Sequence, residues 1–290
     1  MIQDVDRLAI STLFRAFPGK IAITWGLTLI ETIMFALLPL LIGWSIDGLI
    51  ADDWQAFYLL IGALSGLLAI SIARRVYDTR AYGTMRVEMG KALVNRSRNR
   101  ATSVTNARVL MGRELVDFLE VTAPQTITAI VQIVISIALL LSFHTTLAAS
   151  AGGAAIGIVL IYVLFWRWFF RINGDLNARL EKQVTVIDRG GLRRIGAHFL
   201  GIRRAEVRLS DAESLVYGLI FLVLLTMLSF NLWFAATQSG ATPGQIFSIV
   251  SYSYEFVQAS VALPTALQAL TRLKEITERI NQSIAEGEPT

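Results

Sequence analysis

The chain has 290 residues, 54% of them hydrophobic and only 17% charged, and carries 26 Lys and Arg against 22 Asp and Glu. A soluble domain carries about 25% charged residues, so a water-facing globule is excluded. The absence of cysteine and of long polar tracts excludes a disulfide scaffold and a disordered chain as well.

In chain order, residues 3–17 place Val5, Leu8, Ala9, Leu13, Ala16 and Phe17 on one helical face. That pattern predicts an amphipathic helix lying along a membrane surface, the first unit of the chain at 1–18. Asp4, Asp6, Arg7 and Arg15 interrupt it, so a cleavable signal is not expected. The apolar region 21–73 follows, divided by the polar run 47–55. Residues 121–166 then hold 46 positions without a Lys, Arg, Asp or Glu, and residues 214–254 hold 41 more. One crossing needs about 20 apolar residues, so each window holds two, with turns at 142–146 and 238–244 where polar, Gly and Pro residues break the run. Three helical hairpins and six crossings are expected, in a membrane domain at 19–280 with a tail at 281–290.

Basic residues orient these hairpins. Three lie at the N-terminus, ten between Arg74 and Arg113, ten between Arg167 and Arg208, and three between Arg272 and Arg279. None falls in 21–73, 114–166 or 209–271. By the positive-inside rule, both termini and the two long connections are expected in the cytoplasm, in the inner membrane of a cell. Those connections, about 72–122 and 171–214, contain good helix formers and no proline before Pro124, so they read as helical extensions rather than loops.

A surface helix, six crossings, minimal outer turns and long helical extensions after crossings two and four resemble the transmembrane domain of ABC exporters. The stretches RVEMGKALVNR at 86–96, GRELVDFLEVTAP at 112–124 and VRLSDAES at 207–214 fall where that family has its first intracellular helix and the starts of crossings three and five. The resemblance implies an all-α integral membrane fold and a homodimer or heterodimer in which helices four and five reach across to the partner. One departure stands out. No G-x-x-x-x-G-K-[ST] phosphate loop occurs in the 290 residues, so the chain is expected not to be an enzyme and to need a separate ATPase subunit. Such a subunit is expected to dock near 90–104 and 188–203, where the two extensions turn. Two alternatives stay open: an ATPase-independent, proton-driven transporter of exporter-like fold, and a membrane scaffold or assembly subunit.

Polar side chains inside the crossings mark a candidate path. Glu31 and Glu255 are expected near the bilayer midplane, counted from Lys20 and Gly244. An ionisable group there is costly and needs a partner or a watery cavity. Ser248, Ser251, Tyr252, Glu255 and Gln258 recur at helical spacing, as do Thr24, Thr28 and Glu31, and Thr128, Gln132 and Ser136. Glu31, Thr28, Gln132, Ser248, Ser251, Glu255 and Gln258 are therefore the candidate substrate or proton path. Hydrogen bonding between packed helices is the competing reading. His144 and His198 are isolated, so neither a metal nor another cofactor is expected. Gly62-x-x-x-Gly66 and Gly153-x-x-x-Gly157 have the spacing of close helix packing. Phe165, Trp166, Trp168, Phe169 and Phe170, with Arg167 and Arg171, read as an interfacial belt. The arginines at 96–100 and 203–208 are assigned to the membrane surface rather than to nucleic acid.

Overall fold

The computed structural model describes residues 10–97 and 101–262, and every regular element among them is helical. Helix α1 spans Ile10–Ala16 and α2 Pro18–Ile50. Phe17 separates them with a non-helical backbone, and Pro18 starts α2, where a missing N–H costs nothing. The 3–9 part of the expected surface helix lies outside the described residues. In the part described, Leu13 is fully buried against protein.

A tight turn at 51–54, with Asp52 at φ +59°, leads into α3, Gln55–Arg96. Asp53 accepts the Gln55 N–H at 3.0 Å and so starts that helix. Helix α3 runs unbroken for 42 residues, about 63 Å at 1.5 Å per residue. After an elbow come α4, Thr102–Asp117, a π-helical turn at Phe118–Thr122, and α5, Ala123–Phe143. The buried Arg108 side chain donates to the Ser97 hydroxyl and thereby ties the two sides of the elbow together. Helix α8 starts at 243 and continues to 262, where the described residues end.

Between the elbow and the start of α2, one core gathers Leu13, Ile21, Tyr82, Met85, Met89, Leu93, Leu115, Val116 and Leu119 from five consecutive elements. Tyr82 pins it, donating to the Leu119 carbonyl at 3.0 Å and bonding the Thr24 hydroxyl at 3.1 Å. The Leu119 carbonyl belongs to the π-helical turn, and such turns disturb the regular hydrogen-bond ladder.

These elements form one compact unit, and residues His144–Ser239 form a second. The second unit is a hairpin of α6, Thr145–Arg189, and α7, Leu192–Thr237, joined at Gly190 and Gly191. His144 caps α6 by accepting the Thr146 N–H on Nδ1 at 3.1 Å. Ile202, Ala205, Ala212, Val216, Ile220, Leu224, Met227, Asn231 and Ala235 make up the buried face of α7 at helical spacing. Asn231 accepts from Ser150 across the hairpin. Both connections expected to be helical are helical over most of their described residues: α3 ends at Arg96 and α4 starts at Thr102, and Gly190 and Gly191 separate α6 from α7.

Outside these seams the polarity is inverted relative to a soluble protein. Val163, Leu164, Ile156, Leu68 and Leu222 are at least 60% exposed, while Thr24, Thr28, Thr32, Gln132, Ser136, Asn231, Ser248 and Ser253 are buried. Water would not tolerate that much exposed aliphatic surface, whereas lipid does. Five helical segments are long and apolar enough to cross a membrane: Pro18–Ile50, Gln55–Asn95, Arg108–Phe143, Thr145–Asp188 and Leu192–Thr237. The sixth expected crossing is helical over 243–262 but is not among those five, because Gln245, Glu255 and Gln258 lower its apolarity. Residues 263–280 and the tail at 281–290 lie outside the described residues.

Candidate functional site

The polar side chains of the first unit sort into three clusters along the seams between α2, α3, α5 and α8. In the first, Glu31 of α2 forms an ion pair with Arg74 of α3 and accepts the Ser71 hydroxyl proton. Arg74 also reaches Thr28 at 3.4 Å and lies 3.6 Å from Asp78. Farther along α3, Arg86 pairs with Asp117 at 2.6 Å and with Glu120 in the π-helical turn. Carboxylates and guanidiniums therefore alternate along this side of α3 and largely cancel.

In the second cluster, Gln132 of α5 donates through Nε2 to the Glu255 carboxylate of α8. One helical turn away on α5, Thr128 bonds Thr32 of α2 at 3.2 Å. One turn away on the other side, the buried Ser136 hydroxyl has no hydrogen-bond partner among the described residues. The stripe Thr128, Gln132, Ser136 thus faces α2 and α8 in succession. Glu255 has no cation beside it among the described residues, in contrast to Glu31.

The third cluster repairs a break. Pro39 lies inside α2, and its ring removes one backbone donor from the helix ladder. The Tyr252 phenol of α8 enters there, accepting the Leu40 N–H at 3.1 Å and donating to the Ala36 carbonyl at 3.1 Å. Those two backbone groups would bond each other in an unbroken helix. Ser248, one turn before Tyr252, donates to the Pro39 carbonyl at 2.8 Å. Tyr252 is fully buried. Tyr252→Phe is expected to lose about 1–3 kcal/mol, since it strands two buried backbone groups. Thermal unfolding in detergent measures this, and a loss under about 0.5 kcal/mol would show that α2 closes the bond by itself.

At the end of α8 near the 51–54 turn, Asp47 of α2 accepts the Gly244 N–H at 2.8 Å and the Thr242 hydroxyl. A carboxylate at a helix N-terminus also meets the positive end of the helix dipole. Gly43 and Gly244 make this approach possible: a Cβ on Gly43 would strike the Ser248 hydroxyl and the Gly244 carbonyl, and one on Gly244 would strike the Gly43 carbonyl. The glycine pairs singled out by spacing are looser. Nothing lies within 4 Å of a Cβ at Gly62 or Gly153, and Gly157 meets only Val223 at 3.5 Å.

The structure brings together Gln132 with Glu255, and Thr28 with Glu31 through Arg74. Ser248 serves the Pro39 carbonyl, Ser251 is half-buried on the same helix, and the exposed Gln258 donates to Tyr254 at 2.6 Å. The two carboxylates do not share a partner, and their depths differ. Glu31 stands 19 residues before Ile50, and Arg74 stands 19 after Gln55. Both are therefore about 28 Å from the 51–54 turn, near the far edge of a hydrocarbon core about 30 Å thick. Glu255 stands 12 residues past 243 and Gln132 11 before Phe143, which is about 17 Å and close to the middle. Counting from Lys20 instead puts Glu31 about 16 Å along α2, and the two counts differ because α2, at 33 residues, is longer than a membrane core.

Ser71, Arg74, Tyr252 and Asp47 complete these clusters without having been singled out as site residues. Arg74 was readable from hairpin register, since two antiparallel helices pair residues equidistant from their turn. Tyr252 was readable from Pro39, because a proline in an apolar helix leaves backbone groups that need a partner.

Comparison with curated proteins gives no match. The family model described as the ABC transporter transmembrane region matches residues 10–244. That match covers α1 through α7 and reaches the first residues of α8, including the long helices with their elbows and the clusters formed by α2, α3 and α5. The chain is a multi-pass membrane protein belonging to the ABC transporter transmembrane-region family.

Proposed function

We propose that the chain is the membrane-spanning half of an ABC-type exporter, working as a dimer with an ATP-hydrolysing partner subunit. The observation that carries this reading is the match of the family model to α1–α7, helices that outrun the membrane. Helices α3, α6 and α7 have 42, 45 and 46 residues, about 63–69 Å against a core of about 30 Å. In this reading α8 is the sixth crossing, the basic elbow ends lie in the cytoplasm, and both termini lie there too. The partner ATPase docks on the breaks at 97–101 and 190–191, within the expected regions 90–104 and 188–203. No phosphate loop occurs in the 290 residues, so in this reading hydrolysis takes place outside them.

A second reading has its own support. Glu255, near the middle of the membrane and held by a single amide, is placed to take up a proton or hold a cationic group; Glu31, paired with Arg74, is not. A proton-driven transporter would use Glu255 as its carrier.

The test isolates the complex from native membranes and reconstitutes it in vesicles. Under the exporter reading, an ATPase co-purifies, crosslinks to the two elbows, and drives ATP-dependent transport, while the chain alone hydrolyses no ATP. Transport by the chain alone under a pH gradient without ATP would overturn that reading in favour of the second. Glu255→Gln keeps size and hydrogen bonding and removes the charge. It is expected to leave folding intact and to abolish transport or move its pH profile under the second reading, and to leave the pH profile unmoved under the first.

A further inference from the structure

One exposed face of α6 changes character along its length. Val159 and Val163 are 59% and 68% exposed, and the same stripe continues at four-residue spacing through Arg167 and Arg171. Beside it, Trp166 and Phe170 are 67% and 73% exposed. An open groove of about 480 Å³ is lined by Trp166, Arg167, Phe170, Arg171 and Gly174. Gly174 keeps its far end open, with nothing within 4 Å of where a Cβ would stand.

Among the described residues the two guanidiniums have no ion-pair partner. Arg74, Arg86 and Arg179 each pair with a carboxylate, whereas among the described residues no carboxylate lies within ion-pair distance of Arg167 or Arg171. Their depth is informative. Arg167 and Arg171 follow Thr145 by 22 and 26 residues, about 33 and 39 Å along the helix. A core of about 30 Å ends just before them, so they stand at headgroup level, where Trp is also enriched.

We propose that this face binds the headgroup of an anionic phospholipid. Its acyl chain lies along Val159 and Val163, its glycerol region against Trp166 and Phe170, and its phosphate between Arg167 and Arg171. Two guanidiniums four residues apart suit one phosphate, because each offers a planar fork of donors. The apolar-to-aromatic-to-cationic order matches a lipid from tail to headgroup, while a soluble anion would have no use for the exposed valines. This site needs a membrane and, in the dimer proposed above, a face of α6 that stays turned to lipid.

The experiment is native mass spectrometry of the full-length protein released from detergent, titrated with phosphatidylglycerol or phosphatidylcholine. Quenching of tryptophan fluorescence by phosphatidylglycerol brominated on its acyl chains gives a second measure. Wild type is expected to retain phosphatidylglycerol in preference to phosphatidylcholine. The double variant Arg167→Gln, Arg171→Gln should weaken phosphatidylglycerol retention at least about tenfold. Arg75→Gln, Arg80→Gln removes two exposed arginines from α3 at comparable depth and should leave retention within about twofold. Arg167→Lys, Arg171→Lys keeps the charge and should retain more lipid than the glutamine pair. The proposal is overturned by unchanged retention in the glutamine pair, by an equal loss in the α3 control, or by equal retention of both lipids.

Discussion

Replacing Arg74 with leucine is expected to cost the folded protein about 2–3 kcal/mol, while replacing Glu31 and Arg74 together restores most of that loss. The ion pair joins α2 to α3 about 28 Å from their common turn, at the far edge of the apolar core. Glu31 keeps only 20% of its side chain exposed. Stranding an ionised carboxylate at that depth carries a penalty of the size measured for charged residues in membrane insertion, about 2.5–3.5 kcal/mol at the centre and less toward the edge. The double leucine variant removes both charges and leaves apolar packing, which is often as stable as a buried pair. Thr28 loses its partner in both variants and Ser71 only in the double one, so recovery should be incomplete. Unfolding in mixed detergent micelles measures all four members of the cycle. Equal losses in the single and double variants would mean that Arg74 contributes packing rather than charge.

Gly244→Val is expected to destabilise by about 3 kcal/mol, at the upper end of what overpacking costs. The first carbon of the new side chain already falls on the Gly43 carbonyl and the Asp47 carboxylate, and neither backbone nor a bonded carboxylate gives way easily. Helices α2 and α8 must part there, and the Asp47 bonds to Thr242 and Gly244 go with them. Gly152→Ala on α6 is the contrast. Nothing lies within 4 Å of its Cβ position, and alanine is the better helix former by up to about 1 kcal/mol. That variant should be neutral or more stable, and thermal melting of the two side by side checks the difference.

What could be read from the residues was what depends on local order along the chain. Uncharged runs gave the long apolar helices and the turns between them, because a crossing is a matter of length and apolarity. Absence of proline through 72–122 and 171–214 foretold the helical extensions, although not where one helix gives way to the next. Polar stripes were visible too, since helical spacing puts Thr128, Gln132 and Ser136 on one side. Partners across helices were not. Gln132 meets Glu255 over 123 positions of sequence and Tyr252 meets Ala36 over 216, and nothing local encodes such distances. Glycine spacing was a partial guide for the same reason: a G-x-x-x-G pattern shows that a helix can be approached closely, but of those pairs Gly66 meets Met34 at 3.3 Å and Gly157 meets Val223 at 3.5 Å, while the tight backbone approach of α2 and α8 falls at Gly43 and Gly244.

The unbroken course of α3 has a mechanical consequence. A single helix of 42 residues behaves as a stiff rod, and its clasp with α2 at Glu31 and Arg74 lies about halfway along it. Beyond that clasp, 22 residues remain to Arg96, about 33 Å. Rotation by about 10° around the clasp would sweep the far tip through about 6 Å at that length, with only a small shift of the side chains close to the pivot. In the exporter reading proposed above, a push at the elbow would be geared down on its way into the membrane, so that a large stroke outside would become a fine adjustment at the pivot.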